Sequence, residues 1–147
     1  MKYEIMEQEH LSEIMALQTS WVAENITFGF AAATVEQLAE MLTPYCLVAK
    51  DNDQIIGFVM AEVRHGNEYC VFPRGVSYLE GLDLFVKKEY RSQGIGGELL
   101  RQCEELAREN GIQFFLLSTA TKDAETIRRF YTDNGYTIWT TQLFKKL

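Results

Sequence analysis

The stretch Val86-Lys87-Lys88-Glu89-Tyr90-Arg91-Ser92-Gln93-Gly94-Ile95-Gly96-Gly97 joins an apolar run to an amphipathic one through a glycine-rich turn. Before it, Ser77 to Lys87 reads as a strand. After it, Gly94 to Asn110 carries Ile95, Leu99, Leu100, Cys103 and Leu106 at helical spacing and is closed by Gly111. Glycine lets main-chain N–H groups approach an anion with no Cβ in the way, and a helix starting there offers the positive end of its dipole. The turn reads as a pyrophosphate cradle. A dinucleotide fingerprint would need glycine at Leu99, and a P-loop would need a Lys-Ser/Thr pair that the turn lacks.

Outward from this turn the pattern is mixed α/β. Residues 2 to 7 alternate as a first strand, and His10 to Glu24 puts Leu11, Ile14, Met15, Leu17, Trp21 and Val22 near one helical face. Thr34, with Gln37 three residues on, caps a second helix that ends before Pro44. Cys46 to Lys50 and Ile55 to Val63 flank a polar turn and predict an antiparallel hairpin. Beyond Gly111, Phe114 to Ser118 predicts a buried strand, Ala124 to Asp133 a last helix stopped by Asn134-Gly135, and Tyr136 to Phe144 a final β-rich segment. The order includes a strand-helix-strand crossover in its second half.

Composition bounds the function. At 147 residues and 47% hydrophobic content, with no low-complexity linker, the chain predicts one domain over 1–147. The net charge of -7, with its positive residues scattered, argues against a nucleic-acid partner. No apolar run reaches the ~20 residues of a membrane span, and no leader-like segment opens the chain, so the expected compartment is the cytoplasm. Cys46, Cys70 and Cys103 are far apart and lack C-x-x-C spacing, which argues against both disulfides and a metal.

Val86, Arg91, Gly94 and Gly96 match V-x-x-x-x-R-x-x-G-x-G, and about 35 residues later Phe130-Tyr131-Thr132-Asp133-Asn134-Gly135-Tyr136 matches F-Y-x-x-x-G-F/Y. In these two segments the chain resembles the GNAT superfamily of N-acetyltransferases. The resemblance covers roughly Tyr78 to Tyr136. It implies a mostly antiparallel sheet of six to seven strands, flanked by about four helices, with a central parallel pair that splays apart. Acetyl-CoA is the implied cosubstrate and a primary amine, most simply a small-molecule one, the implied acceptor, joined by direct attack in a ternary complex.

The same resemblance implies the site. Arg91, Ser92, Gln93, Gly94, Ile95, Gly96 and Gly97 would hold the pyrophosphate of CoA. The main chain of Leu84, Phe85 and Val86 would pair with the pantetheine arm in the cleft between the strands Tyr78 to Val86 and Phe114 to Ser118. Tyr131 matches the tyrosine that protonates the departing thiolate, which also places it against the cofactor. A lysine-like amine has a pKa near ~10.4, so its deprotonation at neutral pH costs about 4 to 5 kcal/mol and calls for a base or a water relay. Glu80 is the first candidate and Asp83 the second. In a regular strand the two point to opposite faces, unless a β-bulge near Gly81 brings them together.

Other positions are weaker signals. The family often has Asn where this chain has Ala124, and Ala where it has Ile127; Thr121 and Thr126 offer substitute hydroxyls. Trp21, Phe28, Phe30 and Tyr45 read either as an acceptor wall or as core aromatics. His10 and His65 join no constellation. The short C-terminal segment leaves room for a second copy of the chain, although one long closing strand would serve as well. A rival reading is an acyl-CoA-binding sensor without turnover.

Overall fold

The computed structural model describes residues 1–147. Its elements are β1 (Lys2–Ile5), α1 (Leu11–Glu24), α2 (Val35–Glu40), β2 (Leu47–Asp51), β3 (Gln54–His65), β4 (Ser77–Val86), α3 (Ile95–Glu109), β5 (Phe115–Leu117) and α4 (Ala124–Asp133). Short 3-10 turns at Gln8–His10 and Lys88–Tyr90 lead into α1 and away from β4. Local chemistry explains the boundaries. Both arms of the Thr34/Gln37 capping box are made, and α1 stops where Asn25 turns left-handed at φ 53°. Asp123 caps α4 by accepting from the Thr126 N–H.

The five strands lie in the order β1-β2-β3-β4-β5, antiparallel throughout except for the parallel pair β4–β5. Each face of the sheet buries its own core. On one, α3 packs Leu99, Cys103 and Ala107 against Leu47, Val59, Ala61 and Leu79. On the other, α1 and α2 pack Leu11, Ile14, Leu17 and Leu38 against Val48, Phe58, Met60 and Phe85. β3 supplies both cores from one strand, Ile55, Phe58 and Met60 to the α1 side and Ile56, Val59 and Ala61 to the α3 side, with the alternation broken once by the bulge opposite Ala49 and Lys50.

Two expectations change at the C-terminal end. The sheet has five strands rather than six or seven, because Tyr136 to Phe144 forms none. Its apolar residues come in adjacent pairs, Ile138-Trp139 and Leu143-Phe144, so neither face of an extended chain there would be uniformly apolar. Thr137 to Leu147 makes no main-chain hydrogen bond within the chain, and Leu143 and Phe144 are exposed. β5 in turn is short and half-buried rather than fully buried, since β4 is its one neighbour.

Candidate active site

β4 and β5 pair over three residues, Leu79 with Phe115, Glu80 with Leu116 and Gly81 with Leu117, and then part. Gly81 sits at the fork. A Cβ there would come within 2.2 Å of the Leu117 side chain and 3.2 Å of Phe115. Beyond it, Leu82 to Val86 has no strand on that side. Lys87 donates its N–H to the Ile56 carbonyl of β3, so alternation directs the main-chain groups of Leu84 and Val86 away from β3, into the gap. The side chain of Phe85 is core on the opposite face, 4% exposed and 5.2 Å from the ring of Trp21.

β5 leaves the fork to meet a different partner. Thr121 bridges Thr27, Phe28 donates its N–H to the Ala120 carbonyl, and Lys122 donates to Ile26. The loop after α1 is thereby tied across the far end of the gap. Trp21 stacks on Phe30 at 4.0 Å and donates its indole N–H to the Thr27 hydroxyl, so Trp21, Phe28 and Phe30 gather on this loop. Tyr45 does not join them. It is buried in the α3 core with Leu47 and Ala49, two residues ahead of β2.

The glycine-rich turn closes the near end. Gly94 takes φ 81° and Ser92 φ 60°, a left-handed backbone uncommon for a residue with a Cβ. None of the six N–H groups from Ser92 to Gly97 donates to a carbonyl or a side chain of the protein. Six adjacent donors without acceptors, at the start of a helix of 15 residues, form a concave anion site. The side chain of Ile95 is core, and Gly96 and Gly97 also let α4 approach, because a Cβ would meet Phe130 at 3.3 Å and the Asn134 amide oxygen at 3.0 Å respectively. Arg91 is engaged inward. Its Nε donates to the Val86 carbonyl at 2.9 Å, its two terminal nitrogens donate to the Glu24 carboxylate at 2.7 Å each, and its fork lies 5.3 Å from the Phe85 ring. The residue braces the turn from within.

The register of β3 and β4 slips by one residue between Met60 and Ala61: Ala61 pairs with Gly81 but Met60 pairs with Asp83, leaving Leu82 as the extra residue of a bulge. Paired residues share a face, and Met60 and Glu62 share one on β3, so Glu80 and Asp83 both lie on the α1 side. Their surroundings differ. Glu80 pairs with the Arg64 Nε at 2.8 Å, alongside Glu62. Asp83 has no cationic partner; burial raises its carboxyl above the ordinary range, opposed by a 2.8 Å hydrogen bond from the Gln18 amide. Sequence reading overlooked Gln18, although a polar residue within the apolar stripe Ile14, Leu17 and Trp21 is a detectable signal.

Tyr131 lies on α4, its ring 5.1 Å from Phe130 and 5.8 Å from Tyr136. Burial pushes its hydroxyl up to about 12, and that hydroxyl makes no hydrogen bond within the protein. Tyr136 instead donates to Glu104 at 2.8 Å. Ala124 and Thr126 open α4 on its exposed side, and the Thr121 hydroxyl is spent on the Ile26 carbonyl at 3.3 Å. His10 is a buried structural group facing Lys50, and His65 contacts Ser77. No group of three or more potential metal ligands converges.

These elements define a wedge-shaped cleft in a mixed sheet, with an anion cradle at one end and an aromatic loop at the other. Residues 43–138 match the model of the acetyltransferase (GNAT) domain, and the chain belongs to that family; it is an acetyltransferase of a family that uses acetyl-CoA. Solved structures share the fold over the whole chain. An aminoglycoside 6'-N-acetyltransferase from Acinetobacter haemolyticus superimposes with a TM-score of 0.76 at 17% identity, covering 100% of this chain and 98% of its own. Another aminoglycoside N-acetyltransferase, in complex with CoA, gives 0.73 at 15% identity over 99% and 98%. A ribosomal-protein-alanine N-acetyltransferase from Brucella melitensis gives 0.70 at 16% identity over 99% and 100%. No curated protein matches in sequence.

Proposed function

We propose that the protein transfers the acetyl group of acetyl-CoA to a primary amine by direct attack within a ternary complex. The observation that carries this reading is the row of six unsatisfied N–H groups from Ser92 to Gly97, which opens beside the edge of β4 at Leu84 and Val86, where no strand pairs and Arg91 holds the Val86 carbonyl. The donors suit the pyrophosphate of CoA, and the edge suits the amides of its pantetheine arm, which would lie along β4 as a strand would. Arg91 keeps the turn in shape rather than contacting the cofactor.

Asp83 is the general base of this reading. It stands two residues past the fork, on the face of the aromatic loop, and burial raises its pKa above that of an ordinary aspartate, which favours proton uptake. The ammonium first gives one proton to solvent; as the neutral nitrogen bonds to the thioester carbonyl carbon and the C=O π pair moves onto oxygen, Asp83 takes the second proton that the nitrogen loses. The C–S bond then breaks, and Tyr131, still protonated at any ordinary pH, gives its hydroxyl proton to the departing sulfur. Glu80, held by Arg64, has the supporting part of keeping the acceptor end negative. A half-buried carboxylate on the sheet face that carries the stacked Trp21 and Phe30, on a chain of net charge -7, favours a small cationic amine as acceptor. The names of the structurally similar aminoglycoside acetyltransferases agree with that class.

A cytoplasmic setting accompanies this reading, in which Cys46, Cys70 and Cys103 remain thiols. So does a homodimer, supported by the unpaired β5 edge and the tail without main-chain partners.

Calorimetric titration with acetyl-CoA, followed by thiol-release assays over a panel of amines, tests the function. Gln93→Glu places a negative charge at the cradle and is expected to weaken acetyl-CoA binding by about 10-fold, more at low salt. Binding with turnover on any amine carries the reading. Binding without turnover would favour the sensor, and no binding would end both.

A further inference from the structure

Gln18 is 2% exposed, on the inner face of α1, and both ends of its side-chain amide are used. Its nitrogen donates to Asp83 Oδ2 at 2.8 Å, and its oxygen accepts the main-chain N–H of Ala33 at 2.8 Å. Ala33 lies at the end of the loop that carries Phe28 and Phe30, so one side chain ties that loop to the carboxylate across the sheet face. Asp83 Oδ1 has no partner in the protein. An amide, unlike a second carboxylate or an ammonium, can satisfy a donor and an acceptor at once without adding charge to a buried site.

Resting on the reading of Asp83 as base, we infer that Gln18 is the positioning residue of the acceptor site: it fixes the Asp83 carboxylate so that Oδ1 alone meets the incoming amine, and it couples that geometry to closure of the aromatic loop. Loop position and base orientation are then one variable, not two. The charged groups on the same face of β3 and β4, namely Glu62, Arg64 and Glu80, are paired among themselves, and α1 presents the neutral Gln18. Acid titration of the reaction therefore reports chiefly on Asp83 and what Gln18 does to it.

The test uses Gln18→Met, which keeps the volume and removes both hydrogen bonds, and Gln18→Glu. With Gln18→Met, kcat/KM for the best amine should fall about 10- to 100-fold. The acid limb of its pH profile should move to higher pH, and acetyl-CoA affinity should stay within about two-fold. Gln18→Glu should move the limb further, through carboxylate repulsion. In an Asp83→Asn background, Gln18→Met should cost less than about two-fold more, since the base it orients is gone. Should Gln18→Met fail to fold by thermal melting, Gln18→Asn, which keeps the amide and shortens its reach, gives the same readouts. An unmoved acid limb together with an equal loss in both backgrounds would overturn the proposal and leave Gln18 a packing residue. If Asp83→Asn alone keeps the wild-type rate and limb, the assignment of Asp83 as base falls, and this role of Gln18 falls with it.

Discussion

Asp83 is a residue that the fold holds against its own stability. Its folded pKa is raised, so the folded state binds the proton more tightly than the unfolded chain does. The stability linked to this group is thus present at low pH and is lost as pH rises through the folded value. At neutral pH an uncharged Asn should be the better fit. Asp83→Asn is expected to raise Tm by about 2 to 4 °C at pH 7 and by less at pH 4, measured by thermal melting, while turnover falls. A lower Tm at pH 7 would contradict the buried-charge account. Tyr131 carries the complementary prediction. With its hydroxyl up to about 12, no alkaline limb from this residue should appear below about pH 11, and Tyr131→Phe should lower kcat by about 100-fold with little change in KM for acetyl-CoA.

Among the elements, the fork between β4 and β5 depends on one missing side chain. Gly81→Ala would drive a Cβ into the Leu117 side chain and against the Phe115 ring, so these side chains must repack, at about 1 to 3 kcal/mol. Chemical denaturation should register that loss, and Leu117→Ala in the same chain should recover part of it by vacating the contact. The element scale is also where sequence reading did best and worst. The end of helix α4 was legible because Asn134-Gly135 stops it, and the start of α2 because its capping box is written in Thr34 and Gln37. The bulge at Leu82 was legible only as a conditional, from a glycine beside two acidic residues at odd spacing. Whether the slip occurs is decided by the partner strand, which local pattern does not contain. Gln18 and Glu24 went unread for the same reason: their partners Asp83 and Arg91 lie 65 and 67 positions away along the chain. The tail was over-read, because β-prone residues were taken as a strand with no edge assigned to receive it.

For the whole molecule, the unpaired β5 edge and the tail bearing exposed Leu143 and Phe144 lead to a prediction about assembly. Light scattering should give a mass near twice 16.9 kDa, and Leu143→Asp with Phe144→Asp should halve it. A wild-type mass of one chain would count against the dimer. The two separate cores carry a different implication, for the history of such a protein. The sheet works as a partition: the helix that starts at the anion cradle is rooted in one core, and the helix that bears the aromatic loop is rooted in the other. Substitutions that retailor Phe28 or Phe30 perturb packing on one side of that partition, which meets the cradle through Trp21, Phe85 and the Arg91–Glu24 pair and not through the α3 core. A lineage built this way can exchange one customer for another while the supply of activated acyl groups continues, which makes the architecture permissive to drift on one side and conservative on the other.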